Sequence, residues 1–171
     1  MRIRPADPEE APVLSRLARA AKAHWGYDAA QIARWDHELT VSPRSLQRAP
    51  SFVAENAQGI LGFIQVDMDK APPEIDHLWV DPARIGQGAG RALLRHAQAL
   101  LAAEGVPEVA IDADPNAEGF YLAMGARRIG AVPAPIAGDG ARMRPQLRLA
   151  TTAILAEADR INPSHRRPTP G

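Results

Sequence analysis

The stretch Glu74 to Leu94, EIDHLWVDPARIGQGAGRALL, constrains the fold more than any other part of the chain. It reads as a strand, a tight turn, a glycine-rich loop and the opening turns of a helix. His77-Leu78-Trp79-Val80 is largely apolar, so both faces of this strand are expected to be covered. The loop is Ile85-Gly86-Gln87-Gly88-Ala89-Gly90-Arg91. Its glycines permit positive φ and a close approach of backbone to a ligand. The following helix aims its free N–H groups and the positive end of its dipole at the loop, which makes an anion site, most often for phosphate. The plain structural alternative is a glycine turn that only links strand to helix.

The rest of the chain alternates helical and strand patterns around this unit. Residues 2–5 can form a first strand. Asp7-Pro8-Glu9-Glu10 is a helix start, with a capping Asp, an early Pro and acid in the first turn. Val13, Leu14, Leu17, Ala20 and Ala21 then recur at helical spacing, up to His24-Trp25-Gly26-Tyr27. Asp28 can cap a second helix with Ile32, Trp35 and Leu39 on one face, and Ser42-Pro43 a short third. Residues 51–55 and 60–67 read as strands joined by a hairpin over Asn56–Gly59. After the loop, Leu93, Leu94, Ala97, Leu100 and Leu101 form a core stripe that ends at Glu104-Gly105. Residues 108–112 are a further strand, Asn116–Met124 a short helix stopped by Gly125, and 127–132 and 145–150 weaker strands around a Pro/Gly-rich loop. These elements predict an α/β class, one domain over residues 1–150, and a tail over 151–171 with a short helix (TTAILAEADR) before the polar HRRPTPG.

Composition narrows the function classes. At 171 residues, 46% hydrophobic and 23% charged, the chain can bury one core. Twenty basic and twenty acidic side chains cancel, which speaks against nucleic acid or an anionic membrane as main partner. With no cysteine, disulfides, cysteine metal sites and a thiol nucleophile are excluded. No apolar run approaches the ~18 residues of a membrane span, and MRIRPADPEE lacks the apolar core of a signal peptide, so a cytoplasmic protein is expected.

The loop matches neither nucleotide motif. A dinucleotide fold wants G-x-G-x-x-G after the first strand, and a Walker A loop wants Gly-Lys-Ser/Thr at its end. Instead, Ile85-Gly86-Gln87-Gly88-Ala89-Gly90 resembles the Arg/Gln-x-x-Gly-x-Gly/Ala loop of the GCN5-related N-acetyltransferases, the GNAT superfamily. Val80-Asp81-Pro82 before it and Arg91–Leu94 after it also match. The segment Asn116-Ala117-Glu118-Gly119-Phe120-Tyr121-Leu122-Ala123-Met124-Gly125 is similar to the family's N-x-x-A-x-x-F/L-Y-x-x-x-G segment, with Gly119 where Ala is usual and Ala126 where Phe is usual. Ile85 replaces the usual Arg or Gln, and Arg84 stands one residue early. Phosphate contact is therefore expected from backbone N–H groups rather than from a side chain.

The resemblance covers about residues 1–150 and implies a GNAT fold: a central mixed, twisted sheet of about six to seven strands, flanking helices and a splayed strand pair. It implies acetyl-CoA as cosubstrate, no metal, and transfer of acetyl to a primary amine by direct attack. The cosubstrate would contact Leu78, Trp79, Val80, Ile85, Gly86, Gln87, Gly88, Ala89, Gly90, Arg91, Asn116, Phe120 and Tyr121. Tyr121 would be the acid that protonates the leaving thiolate. The base stays open between Glu74, which fits by position, His77, which fits by its ordinary pKa, Asp76 and water. Simple alternation places Glu74, Asp76, Leu78 and Val80 on one strand face and Ile75, His77 and Trp79 on the other, unless a bulge intervenes. Trp25 and Tyr27 are the expected acceptor-binding residues. The acceptor would be a small-molecule or peptide amine, and the tail can exchange with a second copy in a homodimer. The competing class is a non-catalytic acyl-CoA-binding sensor or assembly module.

Overall fold

A computed structural model describes residues 1–151. The tail helix and the polar terminus expected beyond Thr151 lie outside the described residues. Seven strands form one mixed sheet in the order β1-β2-β3-β4-β5-β7-β6. They are β1 (Arg2–Pro5), β2 (Ser51–Asn56), β3 (Gly59–Asp67), β4 (Glu74–Val80), β5 (Glu108–Asp112), β6 (Arg127–Pro133) and β7 (Met143–Ala150). Every neighbouring pair is antiparallel except β4 and β5, which run parallel. This is the mixed sheet with flanking helices that the resemblance implies. Among the described residues no helix is long and apolar enough to cross a membrane.

The helices follow local signals. Asp7 caps a 3₁₀ turn in a reciprocal box with Glu10, and the turn leads into α1 (Ala11–His24). Asp28 caps α2 (Ala29–Arg34), which stops short of the expected Trp35–Leu39 face. Ser42 caps α3 (Pro43–Arg48). α4 (Ala89–Ala103) and α5 (Glu118–Ala123) complete the set. On α4 the expected stripe is modified at one position: Gln98 is almost fully buried and donates to the Ala150 carbonyl, while Leu100 is only half-buried.

The sheet is covered on both sides, as the apolar β4 requires. On one face α4 brings Leu93, Leu94, Ala97 and Leu101 against Ile64, Val66, Val109 and Leu147. Each fully buried Leu contributes on the order of 1.5–3 kcal/mol of transfer free energy. On the other face α1 packs Leu14 and Ala18 against Val53 and Phe63, with Trp79 at the margin. Between β3 and β4 the register passes from Gln65↔His77 to Val66↔Ile75, leaving Asp76 unopposed. This bulge corrects the simple alternation. Ile75 turns to the α4 side with Leu78 and Val80, while His77 stays on the other side against Phe63.

Candidate acetyl-transfer site

β4 and β5 share a single register pair, Glu74↔Ala110. Beyond it the strands diverge, and the β5-facing edge of β4 is left without a strand partner. Backbone groups on such an edge need other partners. The gap opens into a groove of about 430 Å³. Its walls come from Leu78, Trp79 and Val80 on β4, the glycine loop, and Asn116, Phe120 and Tyr121 around α5.

The glycine loop closes one end of the groove. Gly86 and Gly88 have φ of +87° and +82°, which side chains rarely tolerate. The first α4 bond runs from Ala92 N–H to Gly88 O, so the N–H groups of Ala89, Gly90 and Arg91 stand free of the helix ladder. Gly88 offers no side-chain cap. A Cβ on Gly90 would lie in contact with the groove walls, 3.4 Å from Val80 Cγ2 and 3.5 Å from Phe120 Cζ, so a side chain larger than Ala would crowd them. Arg84 donates to Gln58 Oε1 at 2.9 Å, which directs it to the β2–β3 hairpin. What the loop offers the groove is therefore backbone N–H groups rather than the Arg84 side chain. Of the loop residues expected here, Gln87 does not line the groove.

Tyr121 is buried and makes a T-shaped contact with Phe120, with ring centroids 5.2 Å apart. Its hydroxyl has no hydrogen-bond partner among the described residues. Burial alone pushes the phenol well above its ordinary pKa, so it carries its proton at neutral pH.

A second cavity of about 440 Å³ adjoins the first across Trp79, which lines both. It contains Glu74, Asp76 and His77. The acid and base candidates from the sequence thus stand in two chambers that meet at Trp79. Glu74 is bound by the Lys70 ammonium at 2.6 Å. Asp76, at the bulge, is half-exposed and 3.7 Å from His77 Nε2. His77 is buried, and burial lowers its pKa against the pull of Asp76. Its Nδ1 accepts from Trp79 Nε1–H at 3.0 Å. A neutral imidazole has one acceptor nitrogen, so Nε2 holds the proton and no lone pair remains to take another.

Trp25 lies beside Trp79, with centroids 6.0 Å apart, and lines the groove rather than the second cavity. Tyr27 lines neither. Its hydroxyl donates to Asp114, 2.9 Å from Oδ2. Asp114 is the centre of a cluster that sequence reasoning missed. It accepts from Lys22 Nζ at 2.6 Å and Arg142 Nη2 at 3.1 Å, and Oδ1 accepts from Asn116 Nδ2 at 2.9 Å. Burial acts to raise the Asp114 pKa, but the bonds and charges of Lys22 and Asn116 hold it below the usual carboxylate value. Lys22 Nζ also lies 4.4 Å from the Trp35 ring centroid, a cation–π contact. The Asp-Pro-Asn turn signal marks Asp114 as a cap; nothing in the Pro/Gly-rich run 133–145 marks Arg142 as its partner.

A family model described as an acetyltransferase (GNAT) domain matches residues 13–143. The chain belongs to the GNAT acetyltransferase family. Solved structures agree on the fold. A GCN5-related N-acetyltransferase from Rhodopseudomonas palustris is similar at 22% identity and a TM-score of 0.72, over 87% of this chain and 94% of that one. The PaiA N-acetyltransferase from Thermoplasma acidophilum, solved in complex with coenzyme A, is 19% identical with a TM-score of 0.64, over 87% and 98%. The ribosomal-protein-S18-alanine N-acetyltransferase from Escherichia coli is 18% identical with a TM-score of 0.65, over 88% and 93%. No curated protein matches the chain significantly.

Proposed function

We propose that the protein moves an acetyl group from acetyl-CoA to the nitrogen of a primary amine, the amine attacking the thioester directly where β4 and β5 part. The single rung between these strands, opening beside a backbone anion cradle, carries the reading. The pantetheine arm lies along the free edge of β4 next to Leu78 and Val80, and the pyrophosphate rests on N–H groups between Gly86 and Arg91. Phe120, Asn116 and Tyr121 close the other side.

Backbone N–H at Leu78 or Trp79 stabilises the developing oxyanion. As the new C–N bond forms, the C–S bond breaks and Tyr121 gives its proton to the sulfur. The nitrogen sheds its proton through water to Asp76. Glu74 is already engaged by Lys70, and the Nδ1 lone pair of His77 is taken by the Trp79 indole. Trp79 stands between the chambers, with Trp25 beside it on the groove side.

The test is an acetylation assay across primary amines, small and peptidic, read by release of free CoA thiol. Thiol release that depends on both amine and acetyl-CoA is expected. A protein that binds acetyl-CoA yet turns over no amine in the panel would support the non-catalytic sensor instead.

A further inference from the structure

One wall of the second cavity carries three cations, which pair with two carboxylates, one of them (Asp112) in the lining and the other (Asp114) behind it. Lys22 and Arg142 share Asp114, and Arg144 pairs with Asp112 at 2.8 Å. All three cations line the same cavity. Arg142 has a side chain only 5% exposed. Three of its five N–H groups are used, on Tyr27, the Ala134 carbonyl and Asp114. Arg144 Nε is buried without a partner. Buried donors of this kind are normally satisfied. The wall formed by Lys22, Arg142 and Arg144 therefore carries one positive charge more than Asp112 and Asp114 match, and it has spare guanidinium donors. Lys22 behaves accordingly: burial lowers its pKa, and Arg142 and Arg144 push it the same way against Asp114. The rest of the lining is opposite in character, with the exposed Glu38, the half-exposed Asp76 and the Lys70-paired Glu74.

We propose that the acceptor amine carries a carboxylate, a free amino acid being the simplest such molecule. The carboxylate docks on Arg142 and Arg144 beside Lys22, and the amine faces Asp76 and the β4–β5 gap. This rests on the N-acetyl transfer reading above. Guanidinium forks match carboxylate geometry and keep their charge when buried. The docked carboxylate supplies the counter-charge that Asp114 and Asp112 leave unmatched, and the acidic rest of the lining attracts the ammonium end of the same zwitterion.

The test compares each free amino acid with its α-amide and with its decarboxylated amine, by initial rates of thiol release. The amide is the stricter control, because it keeps the nucleophile and has more of it unprotonated at neutral pH. At least one amino acid is expected to exceed both analogues in kcat/KM by at least about tenfold, the loss that accompanies one missing charged hydrogen bond. Arg144→Gln, at a position partly open to solvent, should bring acid and amide to within about threefold of each other. It should leave the KM for acetyl-CoA unchanged. Short peptides acetylated at a rate set by their C-terminal carboxylate would locate the same chemistry in a larger acceptor. Amides and decarboxylated amines acetylated as fast as the acids would overturn the proposal while leaving N-acetyl transfer intact. So would an acid preference that Arg144→Gln does not change. If no amine of any kind is acetylated, transfer itself fails and this inference with it.

Discussion

Replacing Tyr121 by Phe isolates the proposed acid from everything else the residue does. The ring stays, with its T-shaped contact to Phe120 and its place in the wall of the groove. Only a hydroxyl is lost, and it has no protein hydrogen bond among the described residues. No buried partner is left unsatisfied, so folding free energy should change by less than about 1 kcal/mol, and Tm by no more than about 2–4 °C. The loss of a positioned acid should lower kcat by about 10²–10⁴, or on the order of 3–5 kcal/mol of barrier. Isothermal titration with CoA and thiol-release kinetics, run on the same preparations, separate binding from chemistry. The expected pattern is an unchanged Kd for CoA with the fall confined to kcat. If kcat stays within about threefold of the parent while binding is intact, Tyr121 is only a wall of the groove.

Five other substitutions probe neighbouring parts. Asp76→Asn should lower kcat/KM by about 10–100-fold in a thiol-release assay, whereas Glu74→Gln and His77→Gln should each cost much less; the reverse order would relocate the base. Gly90→Val extends side-chain atoms past the 3.4 Å already available to a Cβ beside Val80, so it should raise the Kd for acetyl-CoA about tenfold or more by calorimetry. Asp114→Asn leaves Lys22 and Arg142 without their shared carboxylate and should cost about 3–5 kcal/mol by chemical denaturation. In the parent, the carboxyl titrates below its unfolded value of 3.8. Its stabilisation is therefore complete above that value and is lost as pH falls through the lower folded one. Asp114→Asn should flatten that acid limb of the Tm profile.

What the sequence revealed and what it concealed divide along the chain's own geometry. The strand–loop–helix unit was legible because each part is a local pattern: apolar residues at 77–80, glycines at 86, 88 and 90, and Leu and Ala at helical spacing after them. The Asn116–Gly125 segment was legible for the same reason, since its turn, short helix and glycine stop are neighbours in sequence. The face of Ile75 was misread because a bulge is set by pairing across to Gln65 and Val66, not by residues 74–80. His77 looked like a base by residue type; its bond from Trp79 appears only once two side chains on one strand face are placed together. The Lys22–Asp114–Arg142 cluster was invisible because α1, the end of β5 and the loop before β7 meet only in the folded chain. Tyr27 drew attention as an aromatic at a helix corner and turned out to brace that cluster.

In the proposed reaction acetyl passes straight from thioester to amine in the gap between β4 and β5, with no acetylated enzyme between. Initial rates measured over a grid of acetyl-CoA and acceptor concentrations test it most directly. Intersecting double-reciprocal lines, the signature of a ternary complex, are the predicted result. Parallel lines, with an acetylated protein trapped when acceptor is withheld, would be the ping-pong behaviour of a covalent intermediate and would contradict direct transfer.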